Sequence, residues 1–281
     1  MTRDYEVRRK LWDGKIPVQF ILDLCESVNS STKPYFVMLP RVSYFTLILP
    51  RVLQFFGTAV EHFDASSVWL QCGTTPLKWH YPVGVLYDLL KSDEKLPWTI
   101  TVRVTDFPKE LIRWSRDSME SSFIQSIKEA DYLRHKAEVV NSMTPEEYRK
   151  LWNGLVNEKF DEYWFVNEKL VSEDQPPKNV PIRWYEVGHP FIEVLIAPFD
   201  DTGKQRTLSD ACRIVGYDGE IVAISHGIEL PLETPLLWMV ENYSYLDNFV
   251  HIVIKKNETS KMSDDSNDDG NSREGELKLK S

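Results

Sequence analysis

The stretch Lys128-Glu129-Ala130-Asp131-Tyr132-Leu133-Arg134-His135-Lys136 is highly polar on one face. A solvated helix face is the ordinary reading of such charge. A lysine held by a rigid helix end has one chemistry open to it. Its ε-amine can accept a covalent modifier, which needs only exposure and access to a thioester. Patterning does not choose Lys128 over Lys136. The six histidines, His62, His80, His135, His189, His226 and His251, show no H-E-x-x-H spacing and read as packed or hydrogen-bonded residues. His251 alternates outward on the last strand and reads as a surface residue. The three cysteines, Cys25, Cys72 and Cys212, form no C-x-x-C pair, so neither a disulfide framework nor a zinc site is expected. Cys25 or Cys72 with a distant histidine would make a thiol enzyme, which is the enzyme alternative. Carboxylates are plentiful but carry no paired geometry, and no glycine-rich nucleotide loop occurs. No catalytic residue, metal or cofactor is expected.

The elements that must position these residues fall into three units. Residues 3–13 read as a short helix with Val7, Leu11 and Trp12 on one stripe. Such a helix is unstable alone and must dock. From residue 15 to 105 the order is strand (16–24), strand (35–39), helix (43–62), short strand (68–70), Thr75-Pro76-Leu77 turn, helix (82–90) and strong strand (98–104). Pro50 interrupts the start of the 43–62 stripe, so the regular part of that helix is expected to begin there, with the proline in its first turn. This order is a ubiquitin-like roll, a helix packed across a mixed sheet. Residues 106–120 read as a linker. Residues 121–175 read as a helix-rich module. Phe123, Ile127, Ala130, Leu133, Ala137 and Val140 form one long stripe. Thr144-Pro145-Glu146-Glu147 starts a second helix with a capping box. Residues 180–256 repeat the first roll: a hairpin (180–185 and 191–197), a helix from Thr207, a strand at 221–224, a helix from Pro235 and a closing strand to Ile254. The Thr234-Pro235-Leu236 turn echoes Thr75-Pro76-Leu77. The fold class is α+β: two ubiquitin-like (β-grasp) domains flanking a helix-rich domain, with an N-terminal helix (1–14). Residues 257–281 hold four aspartates and few apolar side chains, and read as a disordered acidic tail.

Net charge is −10 over 281 residues, which argues against general nucleic-acid binding. No run approaches a membrane span. Scattered cysteines and an N-terminus without an apolar core read as a cytosolic chain.

Several segments together resemble the autophagy protein 5 family. They are Pro34 to Tyr44, Thr75 to Gly84, Leu96 to Val102, Lys128-Glu129-Ala130-Asp131, Leu151-Trp152-Asn153-Gly154-Leu155, His226 to Glu229 and Asp247-Asn248-Phe249. The resemblance covers about residues 1–256. It implies the same three-domain architecture. It further implies that Lys128, directly before Glu-Ala-Asp, takes an isopeptide bond to the C-terminal glycine of autophagy protein 12. E1-like and E2-like enzymes would form that bond, with this chain as substrate and not as enzyme. The conjugate would act as an E3-like scaffold that recruits the conjugating enzyme of an Atg8-type modifier for transfer to phosphatidylethanolamine. The N-terminal helix of autophagy protein 16 would bind near Val7, Leu11 and Arg41, although Arg41 could equally form an internal salt bridge. The location implied is cytoplasmic, with recruitment to the preautophagosomal structure membrane. The segment Thr202 to Glu220 is compact compared with vertebrate-like members, and the acidic tail lies outside the shared region. A ubiquitin-like interaction module without conjugation is the other binding-class reading.

Overall fold

The computed structural model describes residues 4–23, 32–57, 67–91, 95–113, 115–171 and 176–256. Cys25, His62 and the acidic tail lie outside the described residues.

Helix α1 (Tyr5–Asp13) is capped by Asp4, whose carboxylate accepts from the Glu6 and Val7 amides. The first sheet contains β1 (Lys15–Leu22), β2 (Tyr35–Pro40), β3 (Trp69–Cys72), β4 (Thr75–Pro76) and β5 (Trp98–Arg103). Their spatial order is β2-β1-β5-β3-β4, with β1 and β5 parallel. Strand β1 alternates inward Ile16, Val18, Phe20 and Leu22 with partly exposed residues, as a half-buried strand must. Helices α2 (Phe45–Phe56) and α3 (Val83–Leu90) complete this roll. Pro50 sits inside α2, not in its first turn. The helix begins earlier than the proline suggests because Phe45, Ile48 and Leu49 already belong to its buried face. That burial offsets the interior proline, which costs about 3 kcal/mol.

The helical unit comprises α4 (Arg116–His135), α5 (Glu138–Ser142), α6 (Pro145–Val156) and α7 (Phe160–Val171). Two expectations are corrected here. Helix α4 starts within the segment read as linker. Ser115 caps it by accepting from the Ser118 amide, and Met119 extends the Phe123/Ile127 stripe one turn backward. The long stripe through Ala137 and Val140 is broken: Lys136 and Ala137 take φ of +55° and +66°, and α5 starts anew. The Thr144–Glu147 capping box is present.

The second roll contains β6 (Ile182–Tyr185), β7 (Ile192–Glu193), α8 (Leu208–Val215), β8 (Ile221–Ser225), β9 (Ile228–Glu229), α9 (Leu236–Asn242) and β10 (Val250–Lys256). Its order, β7-β6-β10-β8-β9, repeats the first, with β6 and β10 parallel. The two Thr-Pro-Leu tripeptides do not hold equivalent positions. Thr75-Pro76 is the edge strand β4, whereas Pro235 caps α9 as Pro82 caps α3.

His251 is 1% exposed, against the surface position expected of it. Outward alternation assumes that one sheet face is wet. Strand β10 is covered on both faces. Val250, Ile252 and Ile254 enter the second roll's own core, and Val253 joins the core shared by the first roll and the helical unit. A strand buried on both sides loses the polar alternation. The three units thus pack as one body through the second sheet's outer face.

Candidate functional site

Glu129, Ala130 and Asp131 are each used by the fold. Ala130 is fully buried against the bundle. Asp131, 2% exposed, spans the break after α4: its Oδ2 accepts from the Val140 amide at 3.0 Å, and its Oδ1 lies 2.9 Å from His135 Nδ1. That carboxylate supplies one of the amide partners that α5 lacks at its start. Glu129 receives the Arg183 guanidinium at 3.0 Å and the Gln125 amide at 3.1 Å. Lys128, one residue earlier, is exposed. Its Nζ lies 5.2 Å from the centroid of the Tyr148 ring, a cation–π contact. The Tyr148 hydroxyl donates to the Val140 carbonyl at 2.6 Å. Partial burial, with Asp131 and Glu147 nearby, raises the Tyr148 pKa, so the phenol stays a proton donor. Beside Lys128 lies an open hollow of about 390 Å³, lined in part by Tyr132, Leu133, Val140 and Asn141. Lys136 is the left-handed C-cap of α4. It stands eight positions after Lys128, about 12 Å along the axis.

Behind this helix face lies a buried polar junction. Arg183 of β6 meets Glu193 at 2.6 Å, Glu129 at 3.0 Å and Asp247 at 3.5 Å, and its Nη1 reaches Ser126 at 3.2 Å. Its guanidinium stacks 3.8 Å from the Phe249 centroid. Asp247 also faces His251 Nε2 at 3.0 Å, and His251 Nδ1 faces the Tyr185 hydroxyl at 2.7 Å. Burial alone would raise the Asp247 pKa. His251 and Arg183 outweigh it and hold the carboxyl below its ordinary value. Arg183 therefore ties the second roll to the helix that carries Lys128.

Val7 and Leu11 lie together on α1, partly buried against the second roll's core. The helix is anchored at both ends. The Asp4 amide donates to Asn242 Oδ1 at 2.9 Å, and Trp12, 7% exposed, meets Phe160 edge-on at 5.4 Å. Its outer side lines an open hollow of about 380 Å³ with Tyr5, Arg9 and Asp13. Arg41 is not part of that face. Its guanidinium pairs with Asp88, and its side chain is 12% exposed, so the internal salt bridge is the reading the geometry supports. Asp88 Oδ2 also accepts from the Gly227 amide at 2.9 Å, which joins the two rolls. Gly227 has φ +77°, and a Cβ there would stand 3.0 Å from the Arg41 guanidinium, so glycine is required. Burial raises the Asp88 pKa despite this pairing.

Of the two cysteines in the thiol alternative, Cys25 lies outside the described residues; Cys212, which that alternative does not include, is buried and its pKa is pushed up to about 11, the opposite of an activated nucleophile. Cys72 receives the Trp98 indole N–H at 3.2 Å. Among the described residues no three His, Cys, Asp or Glu side chains gather as a metal set, and no helix is long and apolar enough to cross a membrane. Sequence reasoning missed Tyr148 and Arg183. Tyr148 follows the Thr144–Glu147 capping box with nothing in its spacing to show that it faces Lys128, and nothing in the spacing of Arg183 points to Glu129, 54 residues away.

Three family profiles match consecutive parts of the chain. They are described as Autophagy protein ATG5, UblA domain (residues 11–104), alpha-helical bundle region (116–173) and UblB domain (179–254). Autophagy protein 5 of Drosophila melanogaster is 36% identical over 265 residues, covering 90% of this chain and 98% of that protein. Autophagy-related protein 5 of Caenorhabditis elegans is also 36% identical, covering 89% of this chain and 98% of that protein. The crystal structure of Kluyveromyces marxianus Atg5 superposes with a TM-score of 0.81 at 17% identity, over 90% of this chain and 100% of that one, a likeness of fold. With profiles matching all three units and relatives matched over nearly their whole length, the chain belongs to the autophagy protein 5 family and has a role in autophagy.

Proposed function

We propose that Lys128 is the acceptor through which this chain is joined to autophagy protein 12. The supporting observation is the division of labour in Lys128-Glu129-Ala130-Asp131: Glu129, Ala130 and Asp131 are engaged by the fold through ion pairing, packing and hydrogen bonding, and Lys128 is exposed on the same helix. The chemistry is acyl transfer. The ε-amine, once its ammonium has lost a proton, attacks the thioester carbonyl of the modifier's C-terminal glycine. An isopeptide bond forms and the thiol of the E2-like enzyme leaves. An E1-like enzyme loads that thioester, so this chain supplies the amine and no catalytic group. The resulting conjugate works as an E3-like scaffold. It recruits the enzyme carrying an Atg8-type modifier and promotes transfer to phosphatidylethanolamine in autophagosome formation.

The N-terminal helix of autophagy protein 16 docks along α1 in a helix-in-groove mode. The exposed side of α1, with Tyr5 at 57% exposure, is the surface left for it, while Val7 and Leu11 chiefly brace α1 on the second roll. The working location is the cytoplasm and the preautophagosomal structure membrane. The test is reconstituted conjugation with Lys128→Arg beside wild type, read by intact mass. An adduct on wild type alone is expected; a full-yield adduct on the variant would sink the assignment.

A further inference from the structure

We infer that Tyr148 is the positioning residue that selects Lys128 as acceptor, by seating its ammonium on an aromatic face that leaves the amine free to react. The inference rests on the reading of Lys128 as the isopeptide site.

Lys78 also stands 5.2 Å from a tyrosine centroid, that of Tyr81, but it is half-buried and donates to the Tyr81 hydroxyl at 3.4 Å, whereas Lys128 is exposed; four further lysines are held by carboxylates. Lys15 pairs with Glu158 at 2.7 Å, Lys159 with Glu162 at 2.8 Å, Lys256 with Glu186 at 2.6 Å, and Lys169 with Glu147. A carboxylate partner occupies the ammonium's N–H donors and ties the head group down, which opposes attack on a thioester. Lys128 has no carboxylate partner among the described residues. Its head group stands over the Tyr148 ring instead. A ring face localises the cation through its quadrupole and takes up no hydrogen-bond donor. The amine is thereby held in one region and stays able to pass its proton to an approaching enzyme.

The seat is itself braced. The Tyr148 hydroxyl is fixed on the Val140 carbonyl, and the Val140 amide is fixed on the Asp131 carboxylate. Asp131 stands three residues after Lys128 on α4, and Tyr148 stands near the start of α6. The chain Asp131–Val140–Tyr148–Lys128 therefore closes a loop from the acceptor's own helix, through α5 and α6, back to its amine. Asp131 acts on the lysine by holding the ring beneath it. Lys136 has no such seat and sits at a left-handed helix end. This distinguishes two lysines that charge patterning leaves equivalent.

The test compares wild type, Tyr148→Leu and Tyr148→Phe as full chains. The first assay is transfer of autophagy protein 12 from a preformed thioester on its E2-like enzyme, with the acceptor concentration varied and the attachment site mapped by peptide mass. Loss of the ring should lower kcat about two- to fivefold with KM unchanged. Tyr148→Phe, which keeps the ring, should stay within about twofold of wild type on the same scale. Wild-type kcat in Tyr148→Leu would overturn the inference, as would an equal loss in Tyr148→Phe. The second readout does not involve conjugation. NMR of the free chain, isotopically labelled at lysine, should show an upfield ring-current shift of the Lys128 ε protons in wild type and Tyr148→Phe, lost in Tyr148→Leu. Absence of that shift in wild type overturns the seat itself. A wild-type adduct that maps to another lysine, with the shift present, sinks the acceptor reading and the inference with it.

Discussion

Replacing Arg183 with methionine should destabilise the chain more than any exposed charge change. Methionine keeps much of the packing on Phe249 but removes the charge. The three carboxylates that meet Arg183 do not weigh equally. Glu129 and Glu193 are 44% and 35% exposed at their side chains, so solvent screens them and their pairing contributes little. Asp247 is 2% exposed and faces the guanidinium at 3.5 Å, so it dominates. Removing one partner of a buried pair costs about 3–5 kcal/mol where the other charge is left uncompensated, and His251 Nε2 and the Phe249 amide, which stay on Asp247, put this variant at the lower end of that range. For a chain of this size that lowers the thermal midpoint by roughly 6–20 °C. The pH dependence follows from the depressed Asp247 pKa. Stability from a depressed carboxylate is fully present above its unfolded value of about 4 and is lost as pH falls through the folded value. The gap between wild type and Arg183→Met should therefore be full at pH 7 and narrow below about pH 4. Urea unfolding at a series of pH values measures it. A variant with the wild-type midpoint at pH 7, or a gap independent of pH, would refute the reasoning.

Gly154→Ala should cost about 1–3 kcal/mol in urea unfolding, because the new Cβ would lie 2.8 Å from Tyr163 Cβ where α6 and α7 cross. A neutral result would show that the helices separate freely. His226 is buried, stacks on Tyr245 at 3.9 Å, and has its pKa lowered to about 3 by burial, with Arg41 adding to the effect. It is neutral in the fold and must charge in the unfolded chain below its ordinary value of about 6.5. Stability should thus fall as pH drops from about 6.5 toward 3, by about 2 kcal/mol at pH 5 from this group alone. His226 has φ +52°, which asparagine tolerates, so His226→Asn should remove that share of the slope, and an unchanged slope would contradict the assignment. Deleting residues 1–14 should lower stability as well as helix binding, because Trp12 belongs to the shared core. Leu11→Glu should lower the thermal midpoint while leaving Trp12 fluorescence buried; a midpoint equal to wild type would show that α1 is not braced on the second roll.

Much of the fold was legible because local signals agreed with it. Alternation in β1, the Thr144–Glu147 capping box and the closing strands survived into the structure with ends shifted by a residue or two. The failures share one cause, which is burial by another unit. His251 obeys the period of its strand, but the face read as solvent is the contact with the first roll and the helical bundle. Pro50 was read as a helix start because propensity outranked a tertiary stripe that begins at Phe45. The break after α4 is enforced by the Asp131 carboxylate on the Val140 amide, a bond across nine residues that no periodicity encodes. Lys128 could be named as an acceptor only through family resemblance. Its exposure and its aromatic seat are matters of three-dimensional placement.

The central claim is that Lys128 carries the modifier. Its most direct test is protease digestion of the wild-type conjugate, reconstituted with purified E1-like and E2-like enzymes and autophagy protein 12, followed by mass spectrometry of the branched peptide. The account predicts one branched species, with the modifier's C-terminal glycine on the ε-amine of Lys128. A branch on Lys136 or any other lysine, with Lys128 recovered unmodified, would contradict it.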